Sequence, residues 1–354
     1  MCFNKFGTKR NLLHNYRMFR QRRYSQWELR CRVNDSILFE YHPKLLSKNS
    51  IFFFRFGVCC VFTISTGGTT TSENCSYIQN PSYPSVYSAT SSLTYTVEKC
   101  SDEVCAIRLD FETMTIAGPS SSAEVNGGAC TDSFVATGTS GITTPTICGK
   151  NTGAHLYIDV GATSTDTAKL TFTFSGTSTV RTWDIKATQI PCAANYRPPG
   201  GCLQWHTGLT GRFTTFNFLE TTTPQHLASQ DYSICIRGEE DYCCIAYEKC
   251  SDANSFTIKN DGTGAVLDTN CLAEDYIGID GAQATCDQGF NAQLHTKLCG
   301  VNFNVADATA IDLTFVCDCS APFIVDIYTD AIADDATATS RGVCLEYRQI
   351  QCTN

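Results

Sequence analysis

Short runs of alternating apolar and polar residues recur along the chain after about position 90. Six of them place apolar side chains on one face with a period of two, which is typical of half-buried β-strands. They are Leu93–Val97, Ala106–Phe111, Lys169–Phe174, Phe213–Phe218, Ile311–Phe315 and Phe323–Tyr328. No apolar stripe with the helical period is sustained over three turns. The pattern predicts an all-β protein.

Turn signals separate these runs, as at Pro198-Pro199-Gly200-Gly201. Short strands divided by turns at such intervals indicate antiparallel β-sandwiches. Trp183–Ala187 fits a closing strand, so we place a boundary near Ile190-Pro191-Cys192. The body of the chain is long enough for two domains of roughly 100–150 residues each. The predicted modules are 75–190 and 191–354.

The first 55 residues differ from the rest in charge. They carry 12 Lys and Arg against 3 Asp and Glu, whereas the remaining residues carry 14 against 32. Because the acidic body repels phosphate backbones and anionic membrane surfaces, we expect no binding to nucleic acid. The apolar run 51–64 is too short to cross about 30 Å of hydrocarbon, so we expect no membrane span.

The head, residues 1–55, reads as a basic, non-globular segment, and no recognisable signal peptide follows Met1. We hypothesise that this segment is an artefact of gene prediction that replaces the true secretory leader. A genuine disordered basic tail is the alternative. Residues 56–74, with Cys59 and Cys60, are expected to form a short cysteine-rich linker.

Cysteine is abundant, with 22 residues, all but two of them after position 58. Such density is typical of oxidised extracellular proteins, so we expect a secreted, disulfide-stapled chain. Seven cysteines lie between 59 and 148 and thirteen between 192 and 352. Because both numbers are odd, either a bridge joins the two groups or some thiols stay free. Cys243-Cys244 and Cys317-Asp318-Cys319 raise the alternative of metal thiolates. Separate disulfides are favoured, because adjacent cysteines rarely bridge one another.

Several segments of the first half resemble the CUB domain family. Asn80–Tyr87, shortly after Cys75, resembles the "SPNYP…Y" opening of that domain. The later elements follow in the family's order at Leu109–Phe111, Cys130 with Phe134-Val135, and Cys148-Gly149.

The second half resembles the same family more loosely. The matching elements are Cys271 with Asp275–Ile279, Leu298-Cys299-Gly300, Pro322–Val325 and Gly342–Tyr347. Over 75–352 the order and spacing are similar to those of secreted arthropod CUB-domain proteins with two such modules.

This resemblance implies two β-sandwiches that bind an extracellular protein or glycan and have no catalysis of their own. It implies the disulfides Cys130–Cys148 and Cys271–Cys299, and it pairs Cys75 with Cys100 or Cys105. We therefore expect a non-enzymatic extracellular binding or adhesion protein. The alternatives are a non-catalytic regulator related to CUB-containing proteases, or a structural component of extracellular matrix or cuticle.

The resemblance also implies a calcium candidate, because many CUB domains hold the ion with clustered acidic oxygens. The family's aspartate lies three residues after the third cysteine. Here Ser133 has that position and Asp132 precedes it, while Asp275 lies four residues after Cys271. A one-residue offset on a strand turns a side chain to the opposite face. Asp275 is the calcium candidate, and no other cofactor is expected.

Motifs of hydrolytic enzymes are missing from the sequence. There is no HExxH zinc helix, no Gly-Asp-Ser-Gly-Gly segment and no G-x-S-x-G elbow. The histidines, including His206 beside Trp205, are interpreted as structural or surface residues. We therefore expect no catalytic residue.

Overall fold

A computed structural model of the chain describes most of residues 61–354 and the backbone of some strands in the head. Within 61–354, the ranges left out are 120–127, 139–142, 162, 164, 176–179, 223–224, 259–264, 272–274, 287–293, 306–314, 332–339 and 353–354, with the side chains of 265–266. Residues 1–62 and 63–354 form separate compact units.

The described backbone of the head forms the strands β1 (Arg22–Arg23), β2 (Gln26–Trp27), β3 (Arg30–Val33) and β4 (Ser36–Glu40). β1 pairs with β2 and β3 pairs with β4, both antiparallel. The side chains of the head, and Cys59 and Cys60 after it, lie outside the described residues, so the hypotheses about residues 1–55 stay predictions.

Strands β5 to β13 form the N-terminal sandwich. They are β5 (Phe62–Ile64), β6 (Thr70–Thr71), β7 (Ser76–Gln79), β8 (Leu93–Glu98), β9 (Val104–Thr115), β10 (Ser133–Gly138), β11 (His155–Asp159), β12 (Thr167–Thr173) and β13 (Thr182–Pro191). One sheet has the order β10-β12-β8-β6 and the other β11-β9-β13-β7-β5. The described pairs are antiparallel, apart from the parallel edge pair of β6 with β8.

The predicted alternation is what builds this core. On β12, Ala168, Leu170 and Phe172 are buried while the residues between them face outward. Phe172 stacks on Trp183 of β13, with ring centroids 4.3 Å apart. The strand predictions at Leu93–Val97, Ala106–Phe111 and Lys169–Phe174 are confirmed by β8, β9 and β12.

Two short strands lie in the described part of the segment 56–74, which we predicted as a linker. Residues 62–64 and 70–71 of this segment are strands, and they extend the edges of the two sheets. The Thr70 and Thr71 backbones pair with Thr96 and Val97 of β8. These strands continue the ladders of the sandwich, because β-branched residues such as threonine favour strands. The predicted domain bounds stay a prediction.

Strands β14 to β24 form the C-terminal sandwich. They are β14 (Cys202–His206), β15 (Thr210–Thr214), β16 (Asp231–Ile236), β17 (Tyr242–Lys249), β18 (Phe256–Thr257), β19 (Ala265–Leu267), β20 (Tyr276–Ala282), β21 (His295–Gly300), β22 (Val316–Asp318), β23 (Phe323–Tyr328) and β24 (Gly342–Gln351). A 3-10 turn, Asp268–Cys271, precedes β20. One sheet has the order β14-β16-β23-β20-β21-β19, and the other β15-β24-β17-β22 with β18 beside β24.

In this half, one predicted strand is confirmed and another is shorter than predicted. β23 confirms Phe323–Tyr328, whereas the predicted strand Phe213–Phe218 ends at Thr214. The reason is Asn217, which adopts the left-handed conformation with φ 65° and so turns the chain. Residues 311–314 of the predicted strand Ile311–Phe315 lie outside the described part of the chain.

Candidate functional site

Eight disulfides join pairs of cysteines within the described residues. The structure joins Cys130 to Cys148 and Cys271 to Cys299, the two pairs that the resemblance implied. The other six are Cys105–Cys192, Cys202–Cys235, Cys243–Cys352, Cys244–Cys319, Cys250–Cys344 and Cys286–Cys317. Cys105–Cys192 joins the two cysteine groups of the sequence.

The resemblance offered two partners for Cys75, and one of them is wrong. Cys105 is bonded to Cys192, because β9 and the end of β13 lie side by side in one sheet. The pairing of Cys75 with Cys100 stays a prediction. Gln189 lies between their segments, since its side chain accepts a hydrogen bond from the Cys100 amide and its own amide donates to Asn74.

The paired cysteines of the second half are used in separate bridges, as the sequence favoured. Cys243 and Cys244 bond to Cys352 and Cys319, and Cys317 bonds to Cys286. The sulfurs of Cys244, Cys317 and Cys319 lie within 4.8 Å of one another. Because all three are engaged in disulfides, none is a thiolate that could hold a metal ion.

Asp132, the acid after Cys130, lies in a fully buried ion pair with Arg181. The guanidinium bonds both carboxylate oxygens, from Nε at 2.6 Å and from Nη2 at 2.9 Å. The backbone amides of Ala117 and Ser175 donate to the same two oxygens. Arg181 also lies 4.7 Å from the ring centroid of Phe174. Asp132 is therefore neutralised from within the sandwich.

Asp275, the acid after Cys271, is buried beside a histidine. Its Oδ2 lies 2.6 Å from Nε2 of His226, and its Oδ1 accepts a hydrogen bond of 2.7 Å from the Asp330 amide. The other ring nitrogen of His226 lies 2.7 Å from the Ser340 hydroxyl. The three side chains are thus a buried chain of polar groups that crosses the sandwich from Asp275 to Ser340.

This arrangement does not fit a calcium ligand. Calcium requires six to eight oxygens, whereas the Asp275 oxygens face an imidazole and a backbone N–H. His226 would have to move before Asp275 could meet an ion. Calcium at Asp275 therefore stays a prediction that a titration must decide.

The order Ser340–His226–Asp275 resembles a hydrolase triad, but all three side chains are buried. Relative exposures are 1% for Ser340, 2% for His226 and 1% for Asp275. A nucleophile must reach the atom that it attacks, whereas the Ser340 hydroxyl has almost no exposure to solvent. The Ser340 hydroxyl instead lies 3.3 Å from the Thr257 carbonyl oxygen. Sequence reasoning missed this network, since its members are distant along the chain.

The two sandwiches meet at a junction built from loops and edge strands. Asn217 accepts a hydrogen bond from the Lys150 amide at 3.1 Å and donates its own amide to the Asn151 side chain at 2.7 Å. Gly149 has φ +77°, and a Cβ there would overlap the Asn217 side chain. Lys150 also forms a 3.0 Å ion pair with Glu220. Asn217 therefore belongs to the junction between the sandwiches, a role that the sequence did not indicate.

Beside these contacts lies a cavity of about 270 Å³, lined by both sandwiches. Two histidines line it, His155 from β11 and His206 from β14. Its two cations, Lys150 and Arg212, are already paired with Glu220 and Asp252. The cavity is therefore polar but internally neutralised in charge.

The histidines of the junction are held in the neutral form. Burial, and then the positive charge of Arg108, lower the pKa of His155 to about 3 and that of His206 to about 4. Arg108 is fixed beside them, since it donates to the Tyr157 hydroxyl at 2.9 Å and pairs with Asp110 at 2.7 Å. The sequence interpretation of these histidines as structural residues missed their meeting at one place.

Comparison with known proteins adds a family for the second half. Residues 199–350 match the family model of the animal CUB domain, a range that coincides with strands β14 to β24. An animal CUB domain therefore occupies the C-terminal sandwich. No curated protein matches the chain.

Two solved structures are similar in part. The CUB1-EGF-CUB2 domain of human MASP-1/3 is 17% identical over 77% of this chain and 98% of its own, with a TM-score of 0.25. The full extracellular region of zebrafish Gpr126/Adgrg6 is 12% identical over 81% of this chain, with a TM-score of 0.28. The chain spans only 34% of that region. At these scores neither likeness carries an argument about partners.

Among the residues that the structure describes, no helix has the length and apolar character needed to cross a lipid bilayer.

Proposed function

We propose that this chain is a non-enzymatic extracellular protein of tandem CUB modules that binds a protein or glycan through loops at the sandwich ends. The observation that carries the proposal is the animal CUB domain at 199–350, in a sandwich that six disulfides hold together. Bridges of this number persist in oxidising surroundings outside the cell. Loops on a rigid β-scaffold are suited to binding.

The N-terminal sandwich is proposed as a second CUB module. Two features support this. Each sandwich has a short disulfide, with sequence separations of 18 for Cys130–Cys148 and 28 for Cys271–Cys299. Each also has a buried aspartate shortly after the first cysteine of that bridge, Asp132 or Asp275.

Exposed apolar residues offer contact points on these scaffolds. Val86 and Val180 are 52% and 58% exposed, and both are next to the bridge pair Tyr87–Arg181 at one end of the N-terminal sandwich. In the C-terminal sandwich, Leu209 is 43% exposed in the turn between β14 and β15. Apolar side chains exposed on loops are where a protein partner gains buried area.

A binding experiment with the full chain tests the proposal. The chain is secreted from an oxidising host, immobilised, and exposed to a glycan array and to a set of purified extracellular proteins. We expect saturable binding that is lost when the disulfides are reduced and alkylated, and that weakens in the double variant Val86→Ser/Val180→Ser or in Leu209→Ser. Tyr196→Ser, another exposed apolar site at 47%, is the matched control. Failure to bind either set, or peptidase activity of the pure protein, would overturn the proposal.

A further inference from the structure

One stretch of chain connects the two sandwiches. β13 ends at Pro191 and β14 begins at Cys202, and the residues between them form turns rather than strands. Gly201 within this stretch has φ +92°, a conformation that favours glycine. Cys192 is fastened to Cys105 in the N-terminal sandwich. Among the described disulfides, none joins β5–β13 to β14–β24, so residues 193–201 can act as a hinge.

Non-covalent contacts close this hinge. Trp205 of β14 packs against the apolar cluster of Ala106, Tyr157 and Ile190 in the N-terminal sandwich. The backbone of Trp205 also meets the His155 ring, whose Nε2 lies 3.1 Å from the Trp205 oxygen and 3.2 Å from the Trp205 nitrogen. The ring of His155 thus contributes to the closed junction, beside the contacts of Asn217 with Lys150 and Asn151.

His206 completes a pair of imidazoles at this contact. Its ring centroid lies 4.9 Å from that of His155, across the junction. Its Nε2 is buried and has no hydrogen-bond partner in the part of the chain that the structure describes. A proton there would add a buried charge that no acceptor compensates.

The charged and titratable groups around the pair reinforce this cost. From β9 and β11 they are Arg108, bonded to Asp110, and Tyr157. From the cavity wall and the opposite sheet they are Lys150, Arg212 and Tyr347. Lys150 and Arg212 are balanced by Glu220 and Asp252. Arg108 is therefore the cation whose charge opposes protonation of the two rings.

We propose that the junction is an acid-sensitive hinge, in which protonation of His155 and His206 beside Arg108 separates the two sandwiches about residues 193–201. The inference goes beyond the proposed binding function and does not depend on a ligand. At neutral pH the rings are uncharged and the sandwiches form one rigid unit. On acidification they part while each keeps its own fold.

The pH window follows from the histidine pKa values. In the closed junction these lie at about 3 and about 4, whereas a solvated histidine has a pKa of about 6.5. The open state therefore binds more protons as the pH falls below 6.5. The equilibrium constant for opening then rises by up to about tenfold per pH unit for each histidine, or by about 200-fold for both between pH 6.5 and 5.

Small-angle X-ray scattering of the secreted full chain from pH 7.5 to pH 4 tests this hinge, with circular dichroism in parallel. We expect the radius of gyration to rise below pH 6.5 while the circular dichroism of the strands stays constant. The double variant His155→Gln/His206→Gln should stay compact throughout. The single variant His206→Gln, which leaves the His155 bonds in place, should show a shallower transition.

His295→Gln is the matched control, because His295 is bonded to Asp268 within the C-terminal sandwich. It should expand like the natural protein. If the double variant does not fold, two single variants test the hinge. His206→Gln should show a less steep rise of the radius of gyration with falling pH, and His206→Arg should be expanded already at pH 7.5. The hinge is overturned if the natural protein stays compact to pH 4, if its strands melt together with the expansion, or if His206→Gln expands as steeply as the natural protein.

Discussion

The two sandwiches are stabilised in different ways. The N-terminal one has a continuous aromatic core, in which Phe172 lies between Trp183 at 4.3 Å and Phe134 at 4.9 Å. The C-terminal one has six disulfides within β14 to β24. Both halves bury an apolar core, but the C-terminal half adds six disulfides to it where the N-terminal half has Cys105–Cys192 and Cys130–Cys148.

A second difference concerns the acid that follows the short disulfide. Asp132 faces Arg181, a permanent cation with two bonds to the carboxylate. Asp275 faces His226, an imidazole that is a cation only when protonated. At comparable positions, the partner of the buried aspartate is therefore a permanent cation in one sandwich and an imidazole in the other.

Reduction should have the largest effect, and it should separate the two halves. Treatment with dithiothreitol under native conditions is expected to unfold the C-terminal sandwich while the N-terminal one persists. Each bridge that closes a long loop contributes about 2–4 kcal/mol, so the loss of six exceeds the usual stability of a domain. Limited proteolysis with mass spectrometry checks this, and cleavage of both halves at the same rate would contradict it.

Removing the fixed cation should have the next largest effect. Arg181→Met leaves Asp132 buried and without its charge partner, which costs about 3–5 kcal/mol. The measurement is the free energy of unfolding by urea. Asp132→Asn/Arg181→Met should recover part of the loss, because the amide is neutral and still accepts a hydrogen bond. Arg197→Met is the control, since its 3.9 Å pair with Asp159 is partly exposed and costs at most about 1 kcal/mol.

Changing the imidazole should cost less. His226→Gln cannot reach both Asp275 and Ser340, so one buried polar group loses its partner, at about 1–3 kcal/mol. Thermal unfolding of the full chain gives the comparison with Arg181→Met. His295→Gln serves as the control, because the carboxylate of its partner Asp268 is 37% exposed and water can replace the lost bond. A larger loss for His226→Gln than for Arg181→Met would reverse the comparison.

Calcium should have the smallest effect of all. The carboxylates of Asp132 and Asp275 are already bonded to Arg181 and His226. Millimolar calcium is therefore expected to leave the melting temperature unchanged. A rise that chelation reverses, and that Asp275→Asn abolishes, would instead establish Asp275 as a ligand.

Much of the fold could be read from the sequence, because alternation reports burial on a sheet face directly. Ala168, Leu170 and Phe172 fit that rule, and β12 lies where it predicts. Alternation failed at Phe213–Phe218, where the left-handed Asn217 ends the strand to meet the other sandwich. That meeting depends on tertiary placement, which a local pattern does not contain.

The sites were less accessible to sequence reasoning for the same reason. His155 and His206 are 51 residues apart, and only the approach of β11 to β14 brings their rings together. The Cys105–Cys192 bridge, with a separation of 87 residues, depends on the return of β13 beside β9. Arg181 had one local signal, a lone cation two residues before the buried Trp183.

Peptide mapping of the native protein without reduction tests most directly whether this chain is a covalently stapled extracellular scaffold. We expect cross-linked peptides for all eight bridges, with Cys105–Cys192 at the hinge and Cys271–Cys299 in the CUB domain. If most of these cysteines were instead alkylated as free thiols, both the stapled sandwich and the extracellular role would be contradicted.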